Sequence, residues 1–335
     1  MKVLKWIFII VGGIVTAALI IALFLPKKVN VTSSIDIDQS PAKVFHSVAL
    51  FNNREAWDPW VSEDSTTRVD IFPRAEYVGS TYEWEGEAVG TGKMQVDSIA
   101  YAEYISSRIW FGGQPEPAKV SWEFTPVNGN TNVKWGFHAD ASYPLGRLFL
   151  NLMKGSLQDD LDKGLQNLKN FLDGKEIKLS TLSEITKTEI PSIVSMVAKT
   201  SGTMEEIISE VDNLIAAVME TVDQQNLDIT GNPFCYYTDY NPEDETTTLY
   251  CGIPVREAGE PTDDVMPVTF PESKAIMAIH TGPYDEFTDS YTALMQYVDE
   301  NKIPVNWNAW EFYINDPMEL KYPTLYKTKI YFETE

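Results

Sequence analysis

A single carboxylate stands inside an aromatic-rich stretch between residues 307 and 317, which reads Trp-Asn-Ala-Trp-Glu-Phe-Tyr-Ile-Asn-Asp-Pro. The stretch alternates like a β-strand, which predicts Glu311 and Tyr313 on one face and Trp310 and Phe312 on the other. An anion beside aromatic rings suits an amphipathic cation, because charge attraction and the ring quadrupole act on the same ligand. This stretch is therefore a candidate binding feature.

Two other interpretations of Glu311 remain open from the sequence. It could be a carboxylate on an edge strand, paired with Lys327 or Lys329 across a hairpin. It could also be the general base of a hydrolase. The elements around it must decide between these interpretations.

Composition excludes several functional classes. The 335 residues include 49 acidic and 26 basic side chains, a formal net charge of −23, and such a surface repels nucleic acid. Two cysteines and three scattered histidines predict no metal site. No catalytic triad or phosphate-binding glycine loop is discernible, and no cofactor is predicted.

The N-terminus predicts a membrane anchor. Residues 6–25 carry no charge, and twenty helical residues span roughly 30 Å, the thickness of a bilayer core. A signal peptide or a buried core helix is the alternative. Lys2 and Lys5 precede the run, and Lys27 and Lys28 follow it, so the charge bias is nearly balanced. We favour a cytoplasmic N-terminus with the remaining chain outside the cytoplasm.

Residues 29–173 predict an antiparallel sheet closed by a long helix. Residues 29–38 alternate as a strand, and Ser40-Pro41 is typical of the start of a short helix. Leucines at helical spacing between residues 144 and 173 predict one amphipathic helix. Strand-like runs separated by glycine or proline lie between these helices, at 67–72, 81–87, 94–104, 107–111, 120–127 and 131–141.

This order resembles the START-like helix-grip fold of the SRPBCC superfamily, which includes polyketide cyclase/dehydrase-like and lipid-binding proteins. The resemblance rests on the strand before Ser40-Pro41, the Asn52, Trp57 and Trp60 loop, and the stretch 90–94. It implies a cavity between sheet and helix. The candidates for lining that cavity, or alternatively for filling a core, are Trp57, Trp60, Trp84, Trp122 and Trp135.

The second half contains an internal repeat. Residues 197–202 and the helical pattern 204–225 correspond to residues 277–282 and the pattern 284–301. Thr203 and Glu206 predict a capping box at the start of the first helix. A strand and a hairpin follow in each copy, and Cys235 aligns with Glu311. We therefore expect two strand-helix-hairpin units around a pseudo-twofold axis with a groove between them.

That organisation, with Gly282-Pro-Tyr284 and Trp310-Glu311-Phe-Tyr313, resembles the GyrI-like small-molecule-binding domain. The resemblance covers about residues 183–335. It implies that Glu311 sits in a central pocket that binds cationic, often aromatic ligands. The candidate neighbours of Glu311 are Tyr237, Tyr284, Tyr313 and Trp310. No helix-turn-helix accompanies the domain, unlike the transcription activators that share it.

Cys235 and Cys251 flank a hairpin loop symmetrically and face each other if Asp239 pairs with Thr247. In an oxidising compartment they could form a disulfide, and otherwise they are two buried thiols.

The sequence thus predicts an α+β protein with an anchor (1–28), a START-like domain (29–173), a linker (174–188) and a GyrI-like domain (189–335). The predicted function is to sense or sequester a hydrophobic or amphipathic cationic molecule near the membrane. An enzyme, with cyclase- or hydrolase-like chemistry in the START cavity or Glu311-assisted hydrolysis, is the first alternative. A protein-interaction module, as in family members that bind gyrase, is the second and requires a cytoplasmic location.

Overall fold

A computed structural model describes residues 2–52, 54–114, 116–241 and 243–335. The chain divides into two compact units, Met1–Ile177 and Lys178–Glu335. Each unit has its own antiparallel sheet with helices packed on it. The predicted α+β class is confirmed.

The first helix, α1 (Lys2–Phe24), is apolar along nearly its whole length. Within the described residues, Lys5–Phe24 is the one helical segment long and apolar enough to cross a membrane. This property concerns length and composition, and a signal sequence shares it.

The sheet of the first unit has seven strands in the order β1-β7-β6-β5-β4-β3-β2. Neighbouring strands are antiparallel, as expected for a meander. The strands are β1 (Lys28–Ile37), β2 (Arg68–Phe72), β3 (Thr81–Gly86), β4 (Gly90–Ala100), β5 (Tyr104–Phe111), β6 (Ala118–Val127) and β7 (Asn130–Asp140). The helices are α2 (Pro41–Ala49), α3 (Pro59–Glu63) and α4 (Leu145–Leu172), and a short 3-10 turn covers Arg54–Ala56.

The alternating residues of β6 and β7 form the core of this unit. Trp122 lies directly opposite Trp135, and Val120 opposite Phe137, and all four side chains are buried. The leucines in the second half of α4 are buried as well. Burial of each such side chain contributes roughly 1.5–3 kcal/mol before the entropy of ordering is subtracted.

One predicted strand of this unit extends too far. The run 94–104 includes the turn that separates β4 from β5. Ala102 holds the left-handed conformation there, with φ of 58°. Glycine usually takes this position, so the turn carries no residue-type signal.

The second unit has a nine-stranded sheet in the order β13-β10-β12-β11-β15-β16-β14-β8, and β9 also pairs with β14. Its helices are α5 (Met204–Gln224) and α6 (Phe287–Asn301), the latter preceded by a 3-10 turn at Tyr284–Glu286. The strands are β8 (Thr181–Leu182), β9 (Thr186–Ile190), β10 (Ile193–Thr203), β11 (Phe234–Asn241), β12 (Thr246–Pro254), β13 (Met266–Phe270), β14 (Ser273–Thr281), β15 (Val305–Tyr313) and β16 (Lys327–Thr334).

Strand order confirms the predicted pseudo-twofold repeat. The half β13-β10-β12-β11 is mirrored by β9-β14-β16-β15, and the halves join through β11 and β15. The strand before each repeat pairs with the other repeat, since β9 leads into β10 but binds β14, and β13 leads into β14 but binds β10. The sequence pattern predicts no strand at β13, and β8 and most of β9 lie in the predicted linker, 174–188.

Each repeat buries its helix against matching positions of the sheet. The helix α5 packs over Met196, Ala198 and Ile253, whereas α6 packs over Ile276 and Ala278. The capping box predicted for α5 is present, because Thr203 and the N3 glutamate bond each other's backbone amides. Both helices therefore lie on one face of the sheet, the face that carries Glu311.

Candidate functional site

Glu311 lies at the centre of the second unit and not at an edge of its sheet. Strand β15 is flanked by β11 and β16, with Cys235 opposite Glu311 on one side and Ile330 on the other. The side chain is 3% exposed. The hairpin lysines lie elsewhere, because Lys329 faces Phe312 across the same hairpin. The edge-strand interpretation of Glu311 is therefore wrong.

Three tyrosine hydroxyls donate hydrogen bonds to the Glu311 carboxylate. Tyr291 donates to Oε1 at 2.6 Å, and Tyr313 and Tyr237 donate to Oε2 at 2.9 and 3.2 Å. Among the described residues, no lysine, arginine or histidine forms an ion pair with this carboxylate. The hydrogen bonds stabilise the ionised form, but the described part of the chain supplies no counter-ion for its negative charge.

Burial raises the pKa of Glu311 above its usual value, and the three tyrosine hydrogen bonds offset only part of that rise. Burial and the adjacent Glu311 carboxylate also raise the pKa of Tyr237, Tyr291 and Tyr313 well above 10. The three hydroxyls consequently stay protonated near neutral pH and act as donors.

Aromatic rings surround the carboxylate beyond the hydroxyls. The Tyr284 ring lies 5.7 Å from that of Tyr313, 5.2 Å from Tyr326 and 5.3 Å from Phe287, measured between ring centroids. The tyrosine side chains are partly exposed, whereas the carboxylate beneath them is buried. An anionic floor with aromatic walls is suited to an organic cation, which the ring faces attract as well as the carboxylate.

The opposite repeat completes the floor of the site. The structure joins Cys235 and Cys251 as a disulfide between β11 and β12, at directly opposed positions. Both residues are buried with Leu249 beneath Ile207 of α5. The first repeat thus contributes a buried disulfide and the Tyr237 hydroxyl, whereas the buried carboxylate comes from Glu311 of the second repeat.

The structure brings together three of the four aromatic candidates around Glu311. Tyr237 and Tyr313 donate hydrogen bonds to it directly, and the Tyr284 ring packs at a tilt against that of Tyr313. Trp310 does not join them, because successive residues of a strand point to opposite faces. Sequence reasoning missed Tyr291, the donor with the shortest hydrogen bond to Glu311. Its position seven residues after Tyr284, two helical turns along, could have indicated it.

A second buried carboxylate, Glu333, lies on the Trp310 face of the sheet. Trp310 Nε1 donates to it at 2.9 Å, Asn308 at 3.0 Å, and Asn306 and Ser273 at 3.1 Å. Burial alone would raise the pKa of Glu333, but these donors together hold it below its usual value. Glu333 is therefore fully partnered within the fold.

The candidate tryptophans of the first unit form one packed cluster with an unpredicted arginine. Trp122 and Trp135 stack at 4.5 Å, and Trp57 meets both edge-on. The guanidinium of the buried Arg54 lies 5.0 Å from the Trp57 ring and 2.7 Å from Asp58.

The remaining two candidates lie at the border of this core. The Trp60 ring lies edge-on to Trp135, and its Nε1 donates to Asp160 at 3.1 Å. Trp84 packs against Phe111 and fills the space over Gly92, where a Cβ atom would meet the indole ring. In this structure, Trp57, Trp122 and Trp135 contact each other, and Trp57 and Trp135 also face Arg54. Their contact with a ligand stays a prediction.

Comparison with protein families assigns both units. Residues 183–334 match the family described as GyrI-like small molecule binding domain. Residues 28–172 match the family described as polyketide cyclase / dehydrase and lipid transport. The chain therefore carries one domain of each family, and this composition indicates small-molecule binding. A search of curated proteins gives no match.

Several solved structures are similar to parts of this chain. The EcmrR C-terminal domain is 22% identical, with 45% of this chain and 97% of that chain covered and a TM-score of 0.41. The Aha1 dimer from Colwellia psychrerythraea is 19% identical, with 44% and 99% covered and a TM-score of 0.33. SAV2435 bound to tetraphenylphosphonium is 10% identical, with 46% and 94% covered and a TM-score of 0.35. At these identities the likeness concerns the fold alone.

Proposed function

We propose that this protein is a membrane-anchored receptor that senses or sequesters hydrophobic or amphipathic organic cations, which bind over Glu311. The observation that carries the proposal is a buried carboxylate whose described partners are three tyrosine hydroxyls and no cationic side chain. A buried charge without a counter-ion is costly, and an entering organic cation removes that cost. The GyrI-like assignment of this unit supports a small-molecule ligand.

The hydrogen bonds of Glu311 also suggest which cations bind best. Three donors already occupy its two oxygens, so little acceptor capacity is left for an N–H group of the ligand. We therefore expect lipophilic cations such as phosphonium or quaternary ammonium ions, held by charge and ring contacts. Entry requires partly exposed rings such as Tyr284 to move aside, because the carboxylate is closed off from solvent.

The hydrolase alternative has weaker support at this site. A general base needs a free lone pair within reach of the proton that it removes. Oε2 already accepts two hydroxyl hydrogen bonds and Oε1 accepts one, so a single lone pair of Oε1 is left for that role. Binding of an organic cation by charge and ring contacts does not depend on a free lone pair.

The test is the affinity of the full-length protein for tetraphenylphosphonium, measured by isothermal titration calorimetry in nanodiscs. A cation centre beyond the hydroxyls would lie about 6 Å from the carboxylate, where the attraction is roughly 3 kcal/mol at an effective dielectric constant of about 20. Glu311→Gln should therefore weaken binding by about 100-fold. The exposed Glu319→Gln is the matched control, because it removes the same charge outside the site.

Two results would contradict the receptor proposal. One is equal affinity of the wild type and Glu311→Gln for the cation. The other is equal affinity of the wild type for tetraphenylphosphonium and for the neutral triphenylphosphine oxide. An enzyme would differ again, since Glu311→Gln would keep most of its ligand affinity and lose turnover.

A further inference from the structure

The first turns of α4 carry an apolar stripe whose side chains are exposed in the described chain. Leu145, Phe149 and Leu152 are 76%, 60% and 83% exposed. Their spacing of four and three residues places them on one side of the helix. The later leucines of the same helix are buried in the first unit, so the exposure is confined to its start.

The other side of these turns holds the end of α1. The Tyr143 hydroxyl donates to the Leu19 carbonyl at 3.2 Å, and Arg147 Nη1 donates to the Ala22 carbonyl at 3.1 Å. Asn151 Nδ2 reaches the Pro26 carbonyl at 3.2 Å. Leu19 lies five residues before the end of α1, or about 8 Å along the helix axis. The start of α4 is therefore level with the last turns of the apolar helix.

These contacts have a physical reason in the helix end. The last carbonyls of α1 lack intrahelical donors, and Arg147 supplies one together with a positive charge that the helix C-terminus favours. The guanidinium also lies 5.5 Å from the Tyr143 ring. Tyrosine and arginine both combine an apolar body with a polar tip, as is typical of residues at a membrane surface.

We propose that the first turns of α4, from Leu145 to Leu152, lie in the interfacial layer of the membrane beside α1 and form a second membrane contact of the first unit. The inference rests on the proposed membrane anchoring of α1. The contacts place these turns between the level of Leu19, about 8 Å inside the end of α1, and the level of Pro26 at that end. This range overlaps the 5–10 Å at which interfacial helices bury their apolar faces. Lipid is the occupant because Leu19, Ile20 and Leu23, at the same level of α1, are exposed as well.

The test measures membrane depth at single positions of the full-length protein in phosphatidylcholine and phosphatidylglycerol vesicles. Nitroxide labels are attached to cysteines introduced by Leu145→Cys, Phe149→Cys or Leu152→Cys, and collisions with oxygen and with a water-soluble nickel chelate are compared. Phe72→Cys is the matched control, since Phe72 is an exposed apolar residue on β2, at the far edge of the sheet from β1. Ile14→Cys reports whether α1 itself is inserted.

Labels on α4 should collide more with oxygen than with the nickel chelate, and the label at position 72 should show the reverse. If the label at position 14 is inserted but the labels on α4 are exposed to water, the proposed interfacial location of α4 is wrong. The proposed membrane insertion of α1 is then still supported. Water-exposed labels at both places would overturn both proposals. Labels on α4 shielded from both reagents would show burial against protein and would also overturn the interfacial helix.

Discussion

The affinity of the second unit for a lipophilic cation should increase with pH through the titration of Glu311. The cation binds the ionised carboxylate, whereas burial raises the pKa of Glu311 and favours the protonated form before binding. Binding below that pKa must therefore release one proton. The three tyrosines around it do not contribute, because their pKa values lie well above 10.

The magnitude follows from a single titrating group. Below the pKa of Glu311 in the unliganded protein, the association constant should rise tenfold per pH unit, or about 1.4 kcal/mol, and above it the constant should level off. Calorimetry with tetraphenylphosphonium between about pH 5 and 8, in buffers of different ionisation enthalpy, measures both this slope and the proton count. Proton release should approach one per ligand below the pKa of Glu311 in the unliganded protein.

The same shift predicts how stability depends on pH without ligand. Between the ordinary value of 4.5 and the higher pKa of folded Glu311, the native state binds more protons than the unfolded state. The free energy of unfolding should therefore decrease with rising pH through this window, and Glu311→Gln should abolish that decrease. A cation affinity independent of pH, or one with the same slope in Glu311→Gln, would refute the reasoning.

Two further outcomes are expected. Glu333→Gln should lower the free energy of unfolding by about 2–3 kcal/mol in urea titrations, because Trp310, Asn308 and the other donors lose a charged acceptor. A loss no larger than that of Glu319→Gln would contradict this role. A reporter fused after Glu335 and active only outside the cytoplasm should be functional if α1 is an N-in anchor. Activity of a cytoplasm-dependent reporter would instead revive the gyrase-type interaction module.

The order of elements could be predicted because local patterns were strong. Alternation in β6 and β7 identified the buried faces, and leucine spacing identified α4. A turn that contains neither glycine nor proline is harder to predict from sequence, as the turn at Ala102 shows. Strands β9 and β13 were missed for a different reason. They pair with the opposite repeat, and the partner of a strand is not encoded in its own residue pattern.

Part of the candidate site could likewise be predicted from local patterns. Tyr313 is two residues from Glu311 on the same strand, so period-two alternation suffices to place them together. Tyr237 follows from the repeat, which aligns its strand with that of Glu311. Tyr291 comes from helix α6, and its side chain reaches the carboxylate because that helix packs on the sheet beside β15. Residues adjacent to Glu311 in the sequence do not determine that packing.

The sequence by itself determined the two domain types, the repeat and the face of the strand on which Glu311 lies. Only the tertiary structure decided that β15 is a central strand, since pairing with β11 depends on long-range association of the two repeats. That association places Cys235 opposite Glu311, so each repeat contributes one of two equivalent positions at the centre of the sheet. The same association gives the two buried carboxylates of this sheet, Glu311 and Glu333, different surroundings. Glu333 meets several N–H and O–H donors, whereas Glu311 meets three hydroxyls and no cationic side chain of the residues that the structure describes. The two differ because opposite faces of one sheet pack against different elements.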